Sequence, residues 1–111
     1  MLRRTGFIAL ALGLLSSHAV AGETKVAVQL NGIGAKTCAH WRSTAASRAE
    51  GTVWIFGFWT GLNYVAAASE QTQASSDEKA VIAEVARVCA ADPSQVLASA
   101  AWAAYLNLAK K

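Results

Sequence analysis

The sequence has few of the residues from which catalytic and metal sites are built. Its 111 residues include two cysteines, two histidines and seven carboxylates. Cys38 and Cys89 do not form a C-x-x-C pair, which argues against a thiol redox site. His40 lies two positions after Cys38, so a helix turns the two side chains to different sides. We therefore expect no catalytic residues, no metal and no cofactor, and we do not expect an enzyme.

The apolar run near the N-terminus, residues 7–15, is shorter than the roughly 20 residues that cross a membrane. It follows Arg3 and Arg4 and precedes small residues at positions 19–21, which is the order of a secretory signal peptide. We predict a signal peptide over residues 1–21. The mature protein is then expected in the periplasm, with no integral membrane span.

Charged residues are scarce, at 15% of the chain. Removal of Arg3 and Arg4 with the signal leaves eight lysines and arginines against seven carboxylates, a net charge of +1. These bases are scattered along the mature sequence. The sequence therefore shows no electrostatic footprint for nucleic acid, and the expected partners are proteins or unfolded client chains.

The mature chain, residues 22–111, has the length of one small domain. Domains of this size have marginal cores, and exported ones often add disulfides. Cys38 and Cys89 most simply form one bridge, which closes a loop of about 50 residues and stabilises the fold by roughly 4 kcal/mol on the chain-entropy model. We predict an extended or flexible N-terminal arm over residues 22–35 and a helical domain over residues 36–111.

The most apolar stretch predicts a central helix over residues 52–68. Four of its apolar residues share one helical face: Trp54, Phe58, Leu62 and Val65. A helix apolar on most sides must be buried on most sides, so we expect the other segments to wrap around it. Gly57 and Gly61 indicate either close approach of another helix or a crevice for a ligand, and we favour close packing. A membrane span is the rival interpretation, but the stretch is short and contains Thr60 and Asn63.

Three further helices complete an all-α domain of four helices in an orthogonal or bundle-like arrangement. The first begins at the cap Thr37 and ends where Gly51 breaks or bends the chain. The third begins with the capping-box pair Ser75 and Glu78. The last covers residues 93–109, with proline at its first position.

Four aromatic residues are the best indication of a functional surface: Trp41, Trp59, Tyr64 and Trp102. Core packing is the default for such residues, but a domain this small can hardly bury four tryptophans completely. Some of the four side chains should therefore form an exposed patch that marks a partner or self-association surface. Asn63 and Asn107 are expected to bond across a helix interface or to rim such a patch.

The mature chain resembles the small exported helical proteins of the HdeA/HdeB acid-stress chaperone type. The matching features are Thr37 and Cys38 at the start of a helix, the aromatic stretch 54–64 with its glycines, Cys89 some 50 residues after Cys38, and the final helix that follows Asp92 and Pro93. A second resemblance is to the Rap1a/Tai immunity proteins, through Gly57, Gly61 and a cysteine shortly before a proline-started helix. These resemblances cover roughly residues 36–109.

The first resemblance implies a periplasmic homodimer that loosens in acid, exposes apolar surface and holds unfolding client proteins. Its physical basis would be the protonation of carboxylates whose native-state partners stabilise the fold. The second resemblance implies an immunity or inhibitor protein that binds one secreted toxin or enzyme through a surface patch. We expect HdeA-like holding of other proteins, with the immunity function as the alternative.

Overall fold

The computed structural model describes residues 27–75 and 77–110, which form an all-α domain with one disulfide. The elements in chain order are a 3-10 turn (Gly32–Ala35), α1 (Cys38–Trp41), α2 (Ala45–Ala68), α3 (Glu78–Ala91) and α4 (Leu97–Ala109). The predicted fold class and the bridge between Cys38 and Cys89 are confirmed. The predicted signal peptide and residues 22–26 of the predicted arm lie outside the described residues.

The break between the first two helices lies earlier than the sequence predicts. The chain leaves the helix at residues 42–44, and α2 then runs through Gly51 without interruption. Thr44 begins α2, and its hydroxyl accepts a hydrogen bond from the Ser47 amide at 3.0 Å. The prediction that Gly51 breaks or bends the helix is therefore wrong.

Gly51 is instead the place where α2 contacts Trp41. A Cβ at Gly51 would lie 2.1 Å from Cδ1 of Trp41, so only glycine leaves room for the indole ring. This ring is 2% exposed, and its Nε1 donates to the Arg48 carbonyl at 3.1 Å. These contacts fold α1 back against the beginning of α2.

The central helix α2 buries one side rather than most of its surface. Its buried residues are Gly51, Ile55, Trp59 and Ala66. Another side of the helix carries Val53 and Tyr64, which are 72% and 77% exposed. The expectation that other segments wrap around this helix is wrong, because α3 and α4, with 14 and 13 residues, are too short to enclose a helix of 24.

Gly57 and Gly61 lie on the exposed side of α2. A Cβ at either position meets no other atom within 4 Å, so the predicted close helix packing at these glycines is wrong within the described chain. Close approach occurs at Gly34, where a Cβ would lie 2.0 Å from Cζ2 of Trp54. Trp54 stacks on Phe58, with ring centroids 5.0 Å apart. This pair of rings therefore holds the 3-10 turn on α2.

The 3-10 turn belongs to the folded domain and not to an arm. Ile33, within it, is 3% exposed and is part of the hydrophobic core. Residues 27–31 before the turn have no regular secondary structure. The assignment of residues 32–35 to the arm is thus corrected, because burial of Ile33 and the close contact at Gly34 fix this segment on the domain.

The caps of α1 and α3 satisfy amides that have no partner within their helices. The Thr37 hydroxyl accepts from the His40 amide at 3.0 Å, which confirms the predicted cap of α1. At α3 the cap is Asp77, whose Oδ1 accepts from two amides of the first turn at 3.0 and 3.3 Å. The capping-box pair Ser75 and Glu78 is therefore a wrong prediction, since Ser75 instead accepts from the Asp77 amide.

The last helix, α4, begins at Leu97, four residues later than predicted. The Cys38 amide donates to the Gln95 carbonyl at 2.8 Å, and the Leu97 amide donates to the Lys36 carbonyl at 2.7 Å. The first bond gives the Cys38 amide, at the start of α1, an acceptor outside the helix. Together the two bonds keep residues 95–96 out of α4. A long-range pairing of backbone groups thus prevails over the local start signal at residue 93.

The disulfide joins α1 to α3, and its two cysteines are 0% and 1% exposed. α3 and α4 run antiparallel. Their contacts show this, because Gln95 before α4 bonds to Val88 near the end of α3, whereas Asn107 near the end of α4 bonds to Glu84. α3 and α4 therefore form a helical hairpin, whose turn contains Asp92 and Pro93.

α2 ends in a left-handed residue that is not glycine. Glu70 has a φ of 57°, and the amides of residues 70 and 71 donate back to the last turn of α2 at 3.2 and 2.7 Å, as in a Schellman motif. This conformation costs an L-residue about 1–2 kcal/mol, and glycine avoids that cost. Glycine loses more conformational freedom on folding, which offsets part of the gain. We expect Glu70→Gly to stabilise the domain by about 0.5–1 kcal/mol in urea unfolding. Glu70→Ala is the control, and a loss of stability with glycine would contradict the presence of strain.

Candidate functional site: an apolar groove between α2 and α4

A groove lies between the C-terminal halves of α2 and α4. Its volume is about 460 Å³, within the range of roughly 300–1,000 Å³ typical of ligand pockets. We call it the main groove, and its lining is Leu62, Val65, Ala66, Ser69, Gln71, Thr72, Trp102, Tyr105, Leu106, Ala109 and Lys110. Val65 and Leu106 are 63% and 41% exposed, so the apolar walls are open to solvent.

A second groove, which we call the arm groove, adjoins the first. Its volume is about 270 Å³, and it is lined by Val28, Leu30, Phe58, Ala98, Ser99 and Trp102. Trp102 lines both grooves and is 46% exposed. Its ring stacks on Tyr105, with centroids 6.2 Å apart and planes at 7°. The two grooves therefore form one apolar surface centred on Trp102.

The two helices run in the same direction along this surface. Phe58 lines the arm groove together with Ala98, and farther along both helices Ser69 lines the main groove together with Lys110. Both helices therefore end at the same end of the surface. That end has the negative poles of two helix dipoles. It also has Lys110, the one charged residue among the described residues that line either groove.

The loop after α2 forms another wall of the main groove, and side chains hold it in place. Trp59 Nε1 donates to the Ser75 carbonyl at 2.8 Å. The Asn63 side-chain oxygen accepts from the Ala74 amide at 3.2 Å and from the Tyr105 hydroxyl at 2.6 Å. These bonds confirm that Asn63 acts across a helix interface, and they position the loop beside α4.

The predicted aromatic surface consists of two buried and two exposed residues. Trp41 and Trp59 are 2% and 3% exposed, so their assignment to an interaction surface is wrong. Each indole N–H donates to a backbone carbonyl, which allows a tryptophan to be buried without an unsatisfied donor. Tyr64 and Trp102 are exposed, and Trp102 is the one that borders both grooves.

Sequence reasoning misses the aliphatic walls of the main groove. Helical spacing assigns Val65 to the buried stripe of α2, yet it is mostly exposed. Leu106 lies four residues after Trp102, on the same side of α4. This pair, which lies off the alanine-rich buried face of α4, is the signal that could have indicated an exposed apolar stripe.

A carboxylate links α3 to α4. Glu84, with a side chain 14% exposed, accepts from the Asn107 side-chain amide at 2.9 Å and pairs with Arg87. The hydrogen bond and the charge of Glu84 raise the pKa of Arg87. Asn107 thus bonds across a helix interface, as predicted.

The groove walls offer apolar contact, a few neutral hydrogen-bonding groups and the charge of Lys110. Within residues 27–75 and 77–110, no group of three or more histidine, cysteine, aspartate or glutamate side chains is placed to hold a metal ion. In the same part of the chain, no helix combines the length and the apolarity needed to cross a membrane. The chemistry of this lining suits the burial of an apolar group.

Comparisons with known proteins give no match, whether with family models, curated proteins or solved structures. The resemblances to the HdeA/HdeB type and to the Rap1a/Tai proteins therefore stay predictions. The geometry of the two grooves is the basis for a functional proposal.

Proposed function

We propose that this protein is an exported, non-enzymatic binding protein that holds apolar segments of other proteins in the main groove and the arm groove. The observation that supports this is the exposure of Trp102 on a folded, bridged domain, with an apolar groove on either side. Aromatic anchors next to pockets are the usual energetic centres of protein interfaces. Isolated exposed apolar residues are ordinary, but Val65, Trp102 and Leu106 line one continuous surface.

The form of holding that we favour is the HdeA-like, acid-stress type. Three carboxylates make native-state hydrogen bonds: Asp77, Glu84 and Asp92. The HdeA/HdeB resemblance implies that acid loosens the fold, while the bridge between Cys38 and Cys89 would keep α1 tied to α3. Loosening of α3 would uncover apolar residues that this helix buries in the core, such as Val81 and Val85.

A dedicated partner is the second candidate, in an immunity or inhibitor role. The observation that favours it is that the main groove is already open in the folded domain, with a volume of about 460 Å³. Such a protein would need no acid loosening to bind. It would bind one secreted toxin or enzyme at neutral pH and would leave unrelated client proteins alone.

Replacing Trp102 with alanine tests the proposal. We expect the oxidised protein to suppress aggregation of an unfolded client. We expect Trp102→Ala to require about tenfold more protein for the same effect, because truncating an aromatic anchor costs about 1.4 kcal/mol or more. Light scattering at pH 7 and pH 3 would measure suppression, with near-UV circular dichroism as the check of folding. Val53→Ala, which removes an exposed apolar side chain outside both linings, is the matched control.

The outcomes separate the two candidates. Suppression that appears only in acid, together with loss of near-UV signal, supports acid-stress holding. Stoichiometric binding of one exported protein at neutral pH, without suppression for other clients, supports the dedicated-partner role. Equal activity of folded Trp102→Ala and wild-type protein would exclude the grooves as the binding site.

A further inference from the structure

The two grooves also specify the kind of segment that they hold. We propose that the occupant is an amphipathic helix of the partner protein, lying antiparallel to α2 and α4. This helix has two bulky apolar side chains two turns apart and acidic residues in its first turn. The inference rests on the proposed function, because it names the partner of the same surface.

The spacing of the grooves sets the spacing of the two apolar anchors. The arm groove meets α4 at residues 98–102, and the main groove meets it at residues 102–110, so the centres of the two contacts lie about seven residues apart along the chain. Trp102 lies between them and lines both. Seven residues of α-helix span about 10 Å. A helix whose axis follows α4 therefore places its side chains at i and i+7 over the two grooves.

A helix suits this surface better than a strand. Two helices that run side by side in one direction leave a trough into which the apolar face of a third helix can pack. Strand addition needs an exposed sheet edge, and the described residues form no sheet. The isolated bridge between Thr37 and Val96 pairs one residue with one residue and is not a strand that a partner could extend.

The electrostatics of one end of the trough set the direction of the occupant. α2 and α4 both end beside Lys110, whose full positive charge offsets the partial negative charges of the two helix ends there. First turns of helices are rich in aspartate and glutamate. Lys110 is the charged residue of the lining at that end and would face those carboxylates, whereas Glu70 is not part of the lining.

The inference can be tested with labelled peptides. Fluorescence anisotropy at neutral pH would measure how tightly each peptide binds to the oxidised protein. The first peptide is an alanine- and glutamine-rich helix of about 18 residues, with two phenylalanines seven positions apart and two glutamates in its first turn. The second moves one phenylalanine by two positions, away from the shared face. The third has a central proline, which breaks the helix. We expect the first to bind about tenfold or more tightly than the others, and to lose about tenfold in Trp102→Ala.

Charge reversal tests the direction of the bound helix. Lys110→Glu should weaken the first peptide about two- to fivefold and strengthen, by a similar factor, a peptide with two lysines in its first turn. Lys79→Glu, which reverses an exposed charge on α3 outside both linings, is the matched control and should change neither affinity. Equal effects of the two reversals would overturn the antiparallel direction.

Failure of the helix inference is distinguishable from failure of the groove as a site. If the proline peptide binds as tightly as the first and Trp102→Ala weakens both, the occupant is an extended segment, and only the inference is overturned. If no peptide binds and Trp102→Ala still suppresses client aggregation, both proposals are wrong. Should Trp102→Ala fail to fold, Leu106→Asp places a charge in the main groove from an exposed position and should give the same loss of binding.

Discussion

Replacing both cysteines with alanine should destabilise the domain by about 4 kcal/mol. The bridge between Cys38 and Cys89 joins residues 51 positions apart, and the chain-entropy model assigns roughly 4 kcal/mol to a loop of this size. Native domains have about 5–15 kcal/mol of stability in total. The double variant should therefore be marginally folded at room temperature, and urea unfolding followed by near-UV circular dichroism would measure the loss.

The loss of order should begin at α1. This helix has four residues, far fewer than an isolated helix needs, and the bridge is its covalent tie to α3. Its first amides also donate to the carbonyls of Pro93 and Gln95, so its release would free the chain before α4. Hydrogen exchange should show residues 36–42 losing protection before α2.

The reduced wild-type protein is the matched control, because it keeps both sulfur side chains and loses only the bond between them. Reduction requires an opened fold, since both cysteines are buried, so it would be carried out in denaturant that is then removed under reducing conditions. The difference between the reduced protein and the double alanine variant is the packing contribution of the two thiols. A double variant within about 1 kcal/mol of the oxidised protein would contradict the loop-closure account.

Local signals in the sequence are enough to predict the fold class, the bridge and the cap at Thr37. Helical periodicity and cysteine number do not depend on how the segments pack. The helix boundaries at residues 42–44 and 95–97 could not be predicted, because contacts between distant segments decide them. Trp41 against Gly51 sets the first, and the pairing of the Cys38 amide with Gln95 sets the second.

Only part of the candidate site can be predicted from the sequence, again because contacts between distant segments decide the rest. The exposure of Trp102 follows from its position off the apolar face of α4. The burial of Trp59 depends on a carbonyl acceptor at Ser75, which the loop brings back along α2. The main groove exists because α2 and α4 run side by side in one direction, and no periodicity within either helix encodes that arrangement.

Alanine should have opposite effects at Gly51 and at Gly57, although both glycines lie inside α2. A Cβ at Gly51 would overlap Trp41 at 2.1 Å, and the buried, hydrogen-bonded ring has little room to move. Overpacking of this kind costs about 1–3 kcal/mol, which exceeds the gain in helix propensity. At Gly57 nothing lies within 4 Å of a new Cβ, so the propensity gain of about 1 kcal/mol should appear as added stability. Urea unfolding of the two variants under one set of conditions measures both effects.

Variants at the exposed glycines also test whether a partner binds in the grooves or on the exposed side of α2. Gly57 and Gly61 are outside both linings, so Gly57→Ala and Gly61→Ala should raise stability and leave the proposed suppression of client aggregation unchanged. Destabilisation by Gly57→Ala would show that another segment or a second copy of the chain packs closely there. If either variant is stable but loses binding, the partner uses the exposed side of α2 with Val53 and Tyr64, and the groove is not the site.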